Sequence, residues 1–147
     1  MKKILVPVDG SEISLKGANK AIELAKKFGS EVTFLSVIET KPLFYGAGAI
    51  PTNSLELMKQ IEDNQSEEFE KLLDSLLGKY KSSGLVLKKK VIAGVVDAKI
   101  DEFAKEENFD LIVMGKRGMS AAKRFFVGSN TRKIIEIAPC SVLVVKD

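Results

Sequence analysis

The feature of this sequence that most constrains its fold is the alternation of short β-rich apolar segments with longer amphipathic segments. Five segments of the first kind are bounded by turn or helix-start residues. These predicted strands lie at residues 4–8, 32–38, 85–93, 111–114 and 141–145. The segments between the strands have apolar residues at helical spacing, and one of them also contains a loop. Strands that alternate with helices pair in parallel through right-handed crossovers, with helices on both faces. The sequence therefore predicts an α/β fold with a five-stranded parallel sheet.

The segments between the strands predict four helices. Ser11 is suited to cap the first helix and Gly29 to end it. A helix of about 30 residues begins at Ser54, and we expect its apolar face to serve as core or partner surface rather than as a cofactor site. That face is formed by Leu55, Met58, Phe69, Leu72, Leu76 and Tyr80. Shorter helices are predicted at 96–107 and 129–137. Three lysines at 88–90 predict that the third strand lies at an edge of the sheet.

Length and composition exclude several classes of protein. A chain of 147 residues predicts a single domain over 1–147. It has no histidine, which excludes Ser-His-Asp and Cys-His catalysis. A single cysteine excludes an internal disulfide and is typical of a cytoplasmic protein. No apolar run is long enough to span a membrane, and the run at 4–8 is too short for a signal peptide.

Basic residues are concentrated in the second half of the chain. Residues 111–135 contain six basic residues and no acidic one. This charge favours an anionic partner, although a solvated basic face is the alternative interpretation. The stretch disfavours nucleic acid as the partner, because Phe125 and Phe126 are its only aromatic residues on which bases could stack.

Glycines follow the fourth predicted strand with a regular spacing. Gly115 and Gly118 lie three residues apart, and Gly128 and Ser129 begin the last predicted helix. Glycine allows a tight turn and a close approach of backbone to a ligand. The first amides of a helix are unpaired and lie at the positive end of its dipole, so they form an anion site. The pattern is neither a Walker loop nor the GxGxxG motif of dinucleotide-binding proteins.

The whole chain resembles the ATP-binding universal stress proteins. Its glycines match the family motif G-x2-G-x9-G-[ST], and residues 4–11, 110–115 and 140–145 resemble the family's first, fourth and fifth strands. The resemblance implies a Rossmann-like, adenine nucleotide alpha hydrolase-like sheet with strand order 3-2-1-4-5. It is consistent with a shared site after strands one and four, which requires those strands to be neighbours.

The resemblance also implies the binding residues. Pro7, Val8 and Asp9 match the adenosine half of the site, and Val37 matches the position that contacts adenine through its backbone. The ribose and phosphate wall is matched by Met114, Gly115, Gly118, Gly128, Ser129, Asn130 and Thr131. Lys116 and Arg117 either hold the outer phosphates or point to solvent. Asp9 either contacts the ribose or a phosphate-bound Mg²⁺, or only forms the turn before the first helix.

Three functions remain open at this point. The first is an ATP-binding regulator of the stress response, and the second is a slow ATPase or autophosphorylating enzyme. The third is an interaction module without nucleotide, which the complete glycine motif disfavours. The resemblance implies a homodimer formed through the strand at 141–145, which is apolar on both faces. The apolar loop at 41–53 either covers the site or contacts a partner.

Overall fold

The computed structural model describes residues 1–40, 52–117 and 127–146. The described elements follow in the order β1 (Lys3–Pro7), α1 (Glu12–Phe28), β2 (Glu31–Glu39), α2 (Thr52–Tyr80), a 3₁₀ turn (Lys81–Ser83), β3 (Leu87–Gly94), α3 (Val96–Glu106), β4 (Leu111–Gly115), α4 (Ser129–Ile137) and β5 (Ser141–Val145). The predicted strands and helices are confirmed, and their observed ends differ by at most a few residues. Most of the loop predicted at 41–53 lies outside the described residues, as does Gly118.

The five strands form one parallel sheet in the order β3-β2-β1-β4-β5, as predicted. From β1 the chain continues to β2 on one side, whereas from β4 it continues to β5 on the other. The segments that leave the carboxyl ends of β1 and β4 therefore diverge and open a crevice between them. β1 is paired with β2 as far as Pro7 and Leu35, and β2 runs on to Glu39.

Alternate residues of the central strands face opposite sides of the sheet. Ile4 and Val6 of β1 pack in one apolar cluster with buried residues of α1 and α2. Leu5 packs in a second cluster with buried residues of α3 and α4. Since every central strand is covered on both faces, its apolar residues run on without the alternation of a half-exposed strand.

The residues at the two ends of α1 cap the helix as the sequence predicts. Ser11 is extended and its side chain accepts a hydrogen bond from the amide of Ser14. Gly29 ends the helix in the left-handed region at φ 65°. An N-cap hydroxyl of this kind typically stabilises a helix by about 1 kcal/mol.

The apolar side chains of α2 are exposed near its start and buried near its end. Leu73 and Leu76 near its end are buried in the first cluster, whereas Leu55 and Ile61 near its start are about half exposed. The helix therefore extends past the sheet at its N-terminal end. Of the described helices, none combines the length and apolar character needed to cross a membrane.

The edges of the described sheet differ in character. Lys88, Lys89 and Lys90 are exposed on β3, which confirms the predicted edge position. β5 forms the other edge and carries no charge within Ser141–Val145. Leu143 on this strand is 36% exposed.

Candidate binding site at the carboxyl end of the sheet

A cavity of about 490 Å³ lies at the carboxyl ends of β1, β2 and β4. This volume is within the usual range for small-molecule sites. Its place is the crevice expected where the strand order reverses. It is lined by Pro7, Val8, Asp9, Ser14, Leu35, Val37, Glu39, Gln65, Phe69, Val96, Ile100, Met114, Gly115, Arg117, Gly128, Ser129, Asn130 and Thr131.

The turn after β1 is held by its own polar side chains. The Asp9 carboxylate accepts hydrogen bonds from the amide and the hydroxyl of Ser11 at the same Oδ1 atom. Gly10 adopts φ 86°, a conformation that side chains disfavour. The Ser14 hydroxyl donates to the carbonyl of Ser11 at 2.8 Å. Asp9 therefore shapes this turn and lines the cavity at the same time.

β2 fixes the position of the segment that follows β1. The amide of Val8 donates to the carbonyl of Leu35 at 2.8 Å. The buried hydroxyl of Ser36 donates to the carbonyl of Val8, also at 2.8 Å. These two bonds anchor Val8 to β2, and Pro7, Val8 and Asp9 line the cavity beside it.

The backbone of Val37 points into the cavity. In a parallel sheet the N–H and C=O of one residue point to the same side of the strand, and alternate residues share that side. The carbonyl of Leu35 points toward β1, because it accepts the amide of Val8. The N–H and C=O of Val37 thus also point to the β1 side, beyond the last register pair of Pro7 and Leu35. They present one donor and one acceptor to a ligand.

Hydrogen bonds join the end of β4 both to β5 and to the start of α4. The amide of Lys116 donates to the carbonyl of Val145 at 2.8 Å, and the amide of Gly128 donates to the carbonyl of Lys116 at 2.9 Å. The buried hydroxyl of Thr131 donates to the carbonyl of Gly115 at 3.1 Å. Thr131 is a residue that the family resemblance places in the ribose and phosphate wall, and its hydroxyl proton is used to hold α4 against β4.

The first turn of α4 faces the cavity with amides that have no hydrogen-bond partner among the described residues. The amide of Arg132 donates to the carbonyl of Gly128 at 2.9 Å, which is the first hydrogen bond of the helix. The amides of Ser129, Asn130 and Thr131 precede it and have no partner within the helix. Gly128 has no side chain with which to cap them. Together with the helix dipole and Arg117, they give this wall a positive potential suited to an anion.

The structure shows a packing reason for glycine at position 115. A Cβ built on Gly115 would lie 3.1 Å from the carbonyl carbon, the Cγ1 and the Cγ2 of Ile13. The missing side chain faces α1 rather than a ligand. Glycine at this position therefore permits close packing of α1 on the end of β4. Gly115 also lines the cavity, so the expectation that it permits close approach to a ligand stays a prediction.

The structure brings most of the predicted site residues together around the cavity. Pro7, Val8, Asp9, Val37 and Met114 line it, as do Gly115, Arg117 and the four consecutive residues 128–131. Lys116 is not among the lining residues, and its main chain instead joins β4 to β5 and α4. Gly118 lies outside the described residues, so its predicted contact stays a prediction.

Sequence reasoning missed part of the lining. Gln65 and Phe69 of α2 and Val96 and Ile100 of α3 contribute to the walls. We expected the apolar face of α2, including Phe69, to be core or partner surface, and Phe69 lines the cavity instead. Gln65 interrupts that face four residues before Phe69, which is the one local sign that the helix changes its surroundings there.

The described residues offer no complete protein site for a metal ion. Among them, no group of three or more histidine, cysteine, aspartate or glutamate side chains is arranged to bind one. Asp9 and Glu39 are the carboxylates that line the described cavity. A Mg²⁺ ion here would depend on phosphate oxygens for most of its ligands, as is usual for this ion.

The chain matches the model of the universal stress protein family over residues 1–146. It is 36% identical over 145 residues to a universal stress protein of Methanocaldococcus jannaschii, covering 99% of this chain and 82% of the relative. Among solved structures, it is similar to a universal stress protein of Lactobacillus plantarum, with a TM-score of 0.86 and 24% identity over 99% of this chain and 97% of that one.

Two solved structures of similar fold contain adenine nucleotides. One is a universal stress protein in complex with cAMP, with a TM-score of 0.70 and 19% identity over 98% of this chain and 96% of that one. The other is an Arabidopsis thaliana universal stress family protein with AMP bound, with a TM-score of 0.66 and 15% identity over 99% of this chain and 92% of that one.

Proposed function

Because the chain belongs to the universal stress protein family, we propose that it binds an adenine nucleotide, with ATP as the natural ligand, in the cavity at the carboxyl end of the sheet. The observation that carries the proposal is that the two ends of this cavity present different hydrogen-bonding groups. One end presents the main-chain donor and acceptor of Val37, and the other presents the unpaired amides of α4. Relatives of similar fold hold AMP and cAMP.

The Val37 end suits the edge of adenine. Adenine carries an acceptor at N1 beside a donor at its N6 amino group. The N–H and C=O of one strand residue complement this pair. Guanine carries a donor at N1 and an acceptor at O6. In the same orientation, with the ribose directed toward α4, it would place donor against donor and acceptor against acceptor. The main chain of Val37 therefore favours adenine.

The α4 end suits several phosphates rather than one. The amides of residues 129–131, the side chains of Ser129 and Asn130, and Arg117 all lie along this wall. Each exposed dipole–charge interaction is typically worth only about 0.3–1 kcal/mol, so a stable anion site requires several of them together. A triphosphate uses more of these donors than a monophosphate. Asp9, which lines the same cavity, would be the residue to contact a Mg²⁺ ion bound to the phosphates.

We further propose that the protein acts as a cytoplasmic, nucleotide-dependent regulator of the stress response rather than as an efficient ATPase. Phosphoryl transfer requires a residue that orients the attacking group. Of the two carboxylates that line the described cavity, Asp9 already accepts two hydrogen bonds from Ser11 at Oδ1. Slow hydrolysis or autophosphorylation is therefore the alternative that the experiment below must exclude.

The homodimer is proposed to form through β5. This strand is an edge of the described sheet, is uncharged over Ser141–Val145 and exposes Leu143. Such an edge can pair with another chain. Antiparallel pairing of two copies of β5 about a two-fold axis would form a closed dimer.

The test removes one amide from the phosphate wall without breaking the helix. Ser129 is the first residue of α4, where proline is well accepted, and Gly128 before it has φ −57° and ψ 151°, which proline also allows. Ser129→Pro deletes the amide donor and the hydroxyl, whereas Ser129→Ala, the matched control, deletes the hydroxyl alone. We expect Ser129→Pro to weaken ATP binding in calorimetry by about tenfold or more relative to Ser129→Ala, because a hydrogen bond to a charged group is lost. Adenosine, which lacks phosphates, should bind both variants equally.

Two further measurements decide between the candidate functions. Nucleotide released from the denatured protein is identified by chromatography, and phosphate release is followed with added Mg-ATP. Bound ATP without release supports a regulator, whereas turnover well above the uncatalysed rate would establish an enzyme. If the wild-type protein neither contains nor binds an adenine nucleotide, the proposed function is wrong.

A further inference from the structure

We propose that Phe69 of α2 stacks on the base of the bound nucleotide, opposite Val96 and Ile100 of α3, and that it is a specificity residue for ligands with a flat aromatic base. The inference rests on the proposed function. It assigns to α2 a direct role in binding that the glycine motif does not include.

The orientation of the base follows from the sheet. The N–H and C=O of Val37 lie in the plane of the sheet and are offset from each other along the strand. A base that bonds to both of them must therefore lie near that plane, where β1 would have continued beyond Pro7. Its two flat faces are then turned toward the two helix layers that cover the sheet.

α2 reaches the cavity on one of these faces. Gly10 lies against this helix, because a Cβ built on it would be 3.7 Å from Cδ2 of Leu72. Phe69 is one turn earlier and shares the face of Leu72, since residues three apart are neighbours on a helix. Leu72 packs against the first apolar cluster, whereas the half-buried ring of Phe69 lines the cavity.

α3 closes the opposite face. Val96 and Ile100 lie four residues apart on this helix and both line the cavity. Ile100 is 2% exposed and belongs to the second apolar cluster, so its position is fixed by the core. A base in the plane of the sheet is thereby enclosed between an aromatic ring and two aliphatic side chains. Rings in this arrangement recognise a flat base by its π face and contribute little to phosphate binding.

The test compares a ligand that has a base with one that does not. Binding of ATP and of inorganic tripolyphosphate is measured by calorimetry for wild type, Phe69→Ala, Phe69→Tyr and Phe28→Ala. Phe28 is 59% exposed at the end of α1, so Phe28→Ala is a matched control for loss of a phenylalanine. We expect Phe69→Ala to raise the Kd of ATP on the order of tenfold, as expected for a lost base–aromatic stack, and to leave the Kd of tripolyphosphate unchanged. Phe69→Tyr and Phe28→Ala should bind both ligands as wild type does.

The outcomes separate this inference from the proposed function. Unchanged ATP binding by Phe69→Ala, or an equal loss for ATP and tripolyphosphate, would overturn the stacking role while leaving the nucleotide site intact. Failure of the wild type to bind ATP would instead overturn the proposed function. If Phe69→Ala does not fold, Phe69→Leu keeps the apolar volume without the ring, and the same criteria apply to it.

Discussion

Gly115→Ala tests whether glycine is required at this position by the packing of α1 on β4. The new Cβ would lie 3.1 Å from three atoms of Ile13, one of them the backbone carbonyl carbon. Such a distance is too short for ordinary contact, so either Ile13 or the end of β4 must shift. Ile13 is 8% exposed and Gly115 is buried, which leaves little room for that shift.

The expected magnitude follows from the cost of overpacking. Small-to-large changes in close-packed regions typically lower the free energy of unfolding by about 1–3 kcal/mol. For a chain of this size, that corresponds to a fall in Tm of roughly 2–12 °C. Urea unfolding followed by circular dichroism gives the free energy, and differential scanning calorimetry gives the Tm.

A double-mutant cycle with Ile13→Ala isolates the contact. Ile13→Ala removes two of the three clashing atoms and by itself costs about 2–5 kcal/mol. If the clash is the cause, adding Gly115→Ala to Ile13→Ala should cost at least about 1 kcal/mol less than adding it to wild type. An equal cost in both backgrounds would refute this reasoning. Unchanged stability of Gly115→Ala together with loss of ATP binding would instead support a role of this glycine in the close approach of a ligand.

Two further predictions concern residues away from the cavity. The carboxylate of Asp110 accepts hydrogen bonds from the amides of Lys2 and Lys3 at 2.7 and 2.9 Å. These bonds hold the pKa of Asp110 below its ordinary value of 3.8, and the bond from Lys3 has the larger effect. The two bonds therefore stabilise the protein above pH 4, and this stabilisation is lost as the pH falls through the lowered pKa. In urea unfolding, the free energy of unfolding of Asp110→Asn should depend less on pH between pH 2 and pH 5 than that of the wild type. An identical pH profile for the two proteins would contradict this prediction. Leu143→Lys places a charge on the exposed face of β5 and should give a monomer in sedimentation velocity at concentrations where the wild type is a dimer. Persistence of the dimer would place the interface elsewhere.

Elements with a strong local signal could be predicted from the sequence. The strands and helices follow from apolar periodicity, and the ends of α1 follow from Ser11 and Gly29. The lysines at 88–90 identified an edge because charge is tolerated only where one side of a strand faces solvent. The strand order was implied by the family resemblance, and the structure has that order.

Part of the candidate site could not be located from local signals in the sequence. Phe69 looks in sequence like its neighbours Leu72 and Leu76, and only the position of α2 over the Asp9–Ser11 turn brings it to the cavity. The inward direction of the Val37 main chain depends on β2 running past the end of β1. Neither the length of one strand nor its sequence reveals where its neighbour stops.

By itself, the sequence determined which segments form strands and helices, where α1 begins and ends, and that a helix with unpaired first amides follows β4. These properties arise from interactions within a few residues of each other. The tertiary structure alone decided which side chains meet at the cavity, that the hydroxyl of Thr131 bonds to Gly115 and that Gly115 faces Ile13. The physical reason is that such contacts join residues far apart in the chain, and their distances are set by the crossovers of the parallel sheet and by close packing of the helices on it.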